Sequence, residues 1–318
     1  MRYGRISGVD VPVSRLIQGT LHLGRQTRDE ALALFDAAYE LGCNAFDTAV
    51  VYAGGETESW LGSWIEQRGI RASVVIIDKG CHPAGPLARM NPAELRRDVE
   101  GSLERLRSDA IDLYLLHRDD PAVPVDEIVV ALNEQLQRGA IRAFGASNWT
   151  HGRIQAAHDF ASKHSLTSFA ASSPGLSLVE AVRSWPGCVC LQPSRDREAC
   201  AWYQATGLPL LAWSPLAGGF LSGRYQRGNL AEFSASWERR VIEFYSSEAN
   251  LQRLERLTAL ARARAISVGQ MALAYVLGTP GDVYAVLGCR DRAELESSVE
   301  ALALQLTPVE LAELNAIV

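Results

Sequence analysis

Four residues of reactive type stand at or just past the ends of short apolar runs. They are Asp47 in FDTAVVY, Tyr52 five residues on, Lys79 closing SVVIIDK and His117 closing DLYLLH. A carboxylate, a phenol, an ammonium and an imidazole are the parts that let a tyrosine deliver a proton near neutral pH. A free tyrosine has a pKa of about 10. A nearby ammonium favours the phenolate, a neutral histidine can share a hydrogen bond with the same oxygen, and an aspartate fixes the lysine. The expectation is a Tyr52 pKa drawn down toward the working range, with a proton still held. Reduction of a carbonyl needs that combination, because its oxygen becomes an alkoxide as hydride arrives at carbon. Taken singly, Tyr52 reads as a loop residue, Lys79 as a surface lysine, His117 as a core histidine and Asp47 as a helix cap. The joint pattern points to chemistry.

Positioning these groups requires strands. Eight candidates recur along the chain: 14–19, 44–49, 73–78, 111–117, 141–147, 167–172, 208–213 and 283–288. Most are continuously apolar or rich in small residues, which suits parallel strands covered on both faces. The intervening segments carry helix signals. Thr27-Arg28-Asp29-Glu30 is a capping box, and Asn91-Pro92-Ala93-Glu94 places proline at the first helical position. Strands joined by crossover helices give a parallel sheet, and eight such units fit a closed (β/α)₈ barrel, expected as one domain over 1–318. MRYGRISGVDVPVS reads as a hairpin ahead of the barrel, CVCLQ (188–192) as a short ninth strand, and 216–248 as a long loop on the C-terminal face. In a barrel of this kind the strand C-termini carry the site. Asp47, Lys79 and His117 fall there.

The 318 residues are 47% apolar and 21% charged, with a net charge of −6. That balance, without a basic block, argues against nucleic acid as a partner. No apolar run reaches the ~18 residues of a membrane span, and the N-terminus lacks a signal core. The six scattered cysteines match no metal or redox spacing, so no metal is expected and the thiols read as reduced, in a cytoplasmic protein. The oligomeric state is not encoded in any motif.

The chain resembles the aldo-keto reductases over nearly its whole length. The resemblance rests on LIQGT (16–20), FDTAVVYAGGETESWLG (46–62), Lys79, DLYLLHRDD (112–120), FGASNW (144–149), WSPLAGGFLSG (213–223) and VLGCR (286–290). It implies a TIM barrel, NADPH as cofactor and reduction of an aldehyde, ketone or sugar-like carbonyl, with Tyr52 as acid/base supported by Lys79, Asp47 and His117. It also implies cofactor contacts from Gly19, Thr20, Ser147, Asn148, Ser172, Trp213, Ser214, Pro215, Leu216, Gly219, Leu221, Gly223, Gly288 and Arg290. Leu21, His82 and Trp149 become candidate substrate walls.

The chain has no G-x-G-x-x-G, so the glycine-bearing loop 214–224 is expected to present backbone amides to the pyrophosphate. The Arg290 guanidinium suits a 2′-phosphate, with Arg292 and Arg224 as further candidates. The sequence departs from the family in carrying Ser172-Ser173 where many relatives have glutamine, and Ser297-Ser298 in place of a Glu-Asn pair. Two other readings use the same residues: a cofactor-binding regulatory or sensor subunit, and a sugar or polyol dehydrogenase working in the oxidative direction.

Overall fold

The computed structural model describes residues 1–316 except 85–88, 184–185 and 194. Its strands are β1 (Tyr3–Gly4), β2 (Val13–Ser14), β3 (Leu16–Gly19), β4 (Ala45–Asp47), β5 (Val75–Gly80), β6 (Ile111–Leu116), β7 (Ile141–Ser147), β8 (Ser172–Ser173), β9 (Gly175–Leu176), β10 (Cys190–Leu191), β11 (Leu210–Trp213) and β12 (Val283–Leu287). Strands β3 to β8 pair in order and in parallel. β8 then pairs with β11, β11 with β12, and β12 with β3, closing an eight-stranded barrel. Around it run α1 (Arg28–Glu40), α2 (Glu56–Arg68), α3 (Pro92–Leu106), α4 (Val125–Gln137), α5 (His151–Lys163), α6 (Arg197–Thr206), α7 (Ser236–Tyr245), α8 (Glu248–Ala263), α9 (Val268–Leu277), α10 (Arg292–Ala301) and α11 (Pro308–Asn315). None of the described helices is long and apolar enough to cross a membrane.

The side-chain period of two divides each strand between two cores. Ile17, Ala45, Val75, Ile77, Leu113, Leu115 and Leu211 fill the barrel, while Leu16, Phe46, Ile76, Tyr114, Leu116 and Phe144 pack under the helices. The same parity turns Asp47, Lys79 and His117 inward, one step past the apolar filling at the C-terminal rim. The expected hairpin is β1 paired antiparallel with β2, Tyr3 opposite Ser14. Ile6, Val9 and Val13 from it join the inner core.

Helix starts follow the sequence signals. Thr27 accepts from the Glu30 amide in a reciprocal box, and Asn91 accepts from the Glu94 amide ahead of Pro92, each cap contributing about 1 kcal/mol.

Two expectations need correction. The sixth strand, expected over 167–172, is reduced to Ser172–Ser173. The residues before it run along β7, the Ala170 amide donating to the Phe144 carbonyl at 2.8 Å, without a two-sided ladder. The segment 216–248, expected as loop, contains α7, whose Val241, Ile242 and Phe244 pack on the outer core. The expected short strand near 188–192 is β10, paired in parallel with β9.

Candidate active site

Strand β4 ends at Asp47, and the chain leaves it through backbone bonds to the next strand: the Thr48 amide to the Ile77 carbonyl at 2.8 Å and the Val50 amide to the Lys79 carbonyl at 3.1 Å. That clamp brings Tyr52, in the tight turn 52–55, back over the rim. The Lys79 ammonium then donates to three acceptors: Asp47 Oδ1 at 2.6 Å, the Thr48 carbonyl at 2.8 Å and Tyr52 Oη at 3.4 Å. All three N–H groups of the ammonium are used. Because Tyr52 Oη accepts from Lys79, its own proton is free to be donated elsewhere. The His117 ring lies edge-on to the Tyr52 ring, with centroids 5.7 Å apart.

The electrostatics correct one expectation. Burial raises the Tyr52 pKa above its ordinary value, and Lys79 offsets only part of that while Asp47 adds to it. The phenol is therefore a firm proton holder through neutral pH, not one drawn down toward it. Burial also lowers the Lys79 pKa, but Asp47 and Tyr52 outweigh it and the net shift is upward, so the ammonium stays charged. Burial raises the Asp47 carboxyl against the pull of Lys79. His117 is pushed well below its usual range by burial, then by Lys79 and Arg118, and is neutral.

The remaining candidates distribute unevenly. Thr20 is buried and its hydroxyl bonds Thr48 Oγ1 at 3.0 Å. Gly19 is needed for packing, since a Cβ there would lie 3.1 Å from the Leu287 carbonyl. Ser147 Oγ donates to the Ser173 carbonyl, and Asn148 Nδ2 donates to both Ser147 Oγ and the His117 carbonyl, with Asn148 held at φ +63°. These two sit beside His117 at the rim. Ser172 does not join them, because its hydroxyl pairs with Tyr203 Oη on the helix side.

Trp213 ends β11, followed by Ser214 (φ +52°), Pro215, Leu216 and the turn at Gly219 (φ +95°), which has open space where a side chain would be. Gly223 has φ +91°, and Leu221 is a core side chain. At the end of β12, Gly288 lies under the His22 ring, 2.5 Å from where a Cβ would stand. Arg290 is exposed but engaged, its Nε donating to Glu294 Oε1 at 3.0 Å. Arg292 pairs with Glu40 and Glu296, and Arg224 with Glu238. Of the substrate-wall candidates, Leu21 is exposed at the rim, the His82 ring is 4.8 Å from His117, and Trp149 is buried with Nε1 donating to the Arg118 carbonyl.

Three residues near this group, Asp78, Glu58 and Arg118, were not singled out from sequence. Asp78, next to Lys79 but of opposite parity, faces the helices. It is fully buried, with the Ser102 side chain and the Lys79 backbone beside its carboxyl. Glu58, also fully buried, pairs with Arg105 Nε at 2.7 Å. Burial and then the Glu58 charge push Asp78 up to about 8. The motif DKG, two adjacent charges on a strand covered on both faces, was the available signal. Arg118 follows His117 directly.

Asp78 yields a pH prediction. Its folded pKa of about 8 stands above the ~3.9 of an unfolded aspartate, so the folded chain keeps a proton that the unfolded chain releases. The resulting stabilisation is full below about pH 4 and is lost as pH rises through about 8. Asp78→Asn is expected to flatten the fall in thermal midpoint between pH 5 and 8. A fall as steep as in the wild type would show that another group carries it.

The eight-stranded parallel barrel thus carries a tyrosine–lysine–aspartate–histidine cluster at its C-terminal rim. The chain belongs to the aldo/keto reductase family, whose model it matches over residues 15–318. It is 29% identical to a probable voltage-gated potassium channel subunit beta of Oryza sativa, over 100% of this chain and 97% of that one. Among solved structures it is similar to a glycerol dehydrogenase of Gluconobacter oxydans, with TM-score 0.82 and 26% identity over 98% of this chain and 93% of that one. It is also similar to an aldo-keto reductase of Klebsiella pneumoniae in complex with NADPH, with TM-score 0.74 and 27% identity over 99% and 95%.

Proposed function

We propose that this chain is an NADPH-dependent reductase of small carbonyl compounds in which Tyr52 protonates the nascent alkoxide. The observation that carries the reading is the Lys79 ammonium saturated by Asp47, Thr48 and Tyr52, which leaves the Tyr52 proton free at the rim. The residues present fit the cofactor. Three buried polar atoms at strand ends lack a partner: Asp47 Oδ2, His117 Nδ1 and Trp213 Nε1. Beside Trp213 the 214–223 loop is open at Gly219. Ser147, Asn148 and Trp213 would hold the nicotinamide end, the 214–223 loop the phosphates, and Gly288 with Arg290 the adenosine end. When bound, the cofactor supplies the hydride.

The chain's own work is positional and electrostatic. Lys79 holds Tyr52 Oη by a hydrogen bond that strengthens as negative charge develops there. Neutral His117, edge-on to Tyr52, orients the substrate oxygen without competing for the proton. The four residues, the single-barrel organisation and the six free thiols, which suit a reducing cytoplasm, form one consistent reading.

Purified protein is expected to quench its tryptophan fluorescence on titration with NADPH and to oxidise NADPH when aldehydes are added. Binding without turnover on any carbonyl would favour the regulatory reading that the likeness to the channel subunit raises. Faster turnover of NADP with polyols than of NADPH with carbonyls would favour the oxidative direction.

A further inference from the structure

We propose that Arg118 docks a carboxylate on the substrate, so that the preferred compounds are aldehyde or keto acids rather than neutral carbonyls. This rests on the reductase reading above and names the substrate class of the same site.

The argument begins with position. Arg118 is the first residue after His117, and its Nη1 donates to the His117 carbonyl at 3.0 Å. That carbonyl also takes Asn148 Nδ2 at 3.1 Å, so the Arg118 head is tied into the group at the rim. On the other side its stem runs near Gly187, where an added Cβ would stand 3.4 Å from Arg118 Cδ. The Trp149 indole donates to the Arg118 carbonyl, fixing the main chain below.

The second observation is charge. Other arginines close by are engaged: Arg153 with Asp119 at 3.1 Å, Arg89 with Glu94 and Asp98, Arg195 with Asp196. Among the described residues no carboxylate forms an ion pair with Arg118, although it is only partly exposed. It lies close enough to Tyr52, His117, His82 and Cys188 for its charge to act on each of them. Both imidazoles have lowered pKa values, so neither supplies a competing cation.

A half-buried guanidinium without a counter-anion, fixed at the edge of a reaction site, is matched by a planar carboxylate that takes two of its N–H groups.

The test uses a matched pair, 4-carboxybenzaldehyde and its methyl ester, with NADPH in excess. A charged hydrogen bond contributes about 1.5–3 kcal/mol, so the wild type should favour the acid by about 10-fold or more in kcat/KM, chiefly through KM. In Arg118→Gln the acid-to-ester ratio should fall to near one, and in Arg118→Lys it should be intermediate. Fluorescence titration with NADPH checks that each variant is folded. If Arg118→Gln does not fold, the wild-type ratio and Arg118→Lys decide. Equal rates on both compounds in the wild type, or an acid preference that survives in Arg118→Gln, would overturn the assignment while leaving the reductase reading intact. NADPH binding with no turnover of either compound would instead overturn the reductase reading itself.

Discussion

Tyr52→Phe is expected to lower kcat by about 10²- to 10⁴-fold, the range of a positioned general acid, while NADPH affinity stays unchanged. The expectation follows from which atom carries the proton. Tyr52 Oη already accepts from Lys79, so its own hydrogen is left for a substrate. Burial raises the pKa of the group, so it is protonated throughout neutral pH. In the wild type the rate of reduction should be level across that range and fall only on the alkaline side, as the donor empties. The variant should lose that alkaline limb along with its rate. Folding should survive, because Tyr52 is partly exposed and the turn around it is held by backbone bonds. Turnover within a few-fold of wild type would mean that His117 or water delivers the proton.

Strand ends made most of this site legible in the sequence. Asp47, Lys79 and His117 each close an apolar run, so a place at the C-terminal rim followed for all three, while their inward direction comes from the parity of the folded strands. What could not be read was burial. The sequence places a cation near Tyr52, which argues for a lowered pKa, yet the packing around the hydroxyl reverses the sign. Arg290 shows the same gap in another form. Its type suits a phosphate, but its guanidinium is already held by Glu294, four residues on in the helix that follows. Any anion there must compete with or share that carboxylate. Ser172 failed for a local reason: with the sixth strand only two residues long, its hydroxyl turns to Tyr203 on the helix side. Helix α7 was hidden because its only start signal, Glu238 reaching back to the Ala235 amide, lacks a polar cap side chain.

Lys79→Met should abolish turnover and also cost stability, which separates it from the tyrosine substitution. Lys79 and Asp47 are each about 5% exposed, and their pair is 2.6 Å long. Removing one partner of a buried ion pair costs about 3–5 kcal/mol, because the other charge is left without its counter-ion. Asp47 already has one oxygen without a partner, so after the change only protonation would relieve the carboxylate. The loss should therefore be largest at high pH and shrink as the solution is acidified through the raised pKa of Asp47. The double variant Lys79→Met/Asp47→Leu tests the account, since replacing both partners by apolar groups can restore much of the stability. Denaturant midpoints should show the single variant well below the double one. If the two are equally stable, the pair is not the electrostatic unit inferred from its geometry. If they differ as expected, both should still fail to reduce a carbonyl, because a stable barrel without the ammonium has lost the group that holds Tyr52 Oη in place.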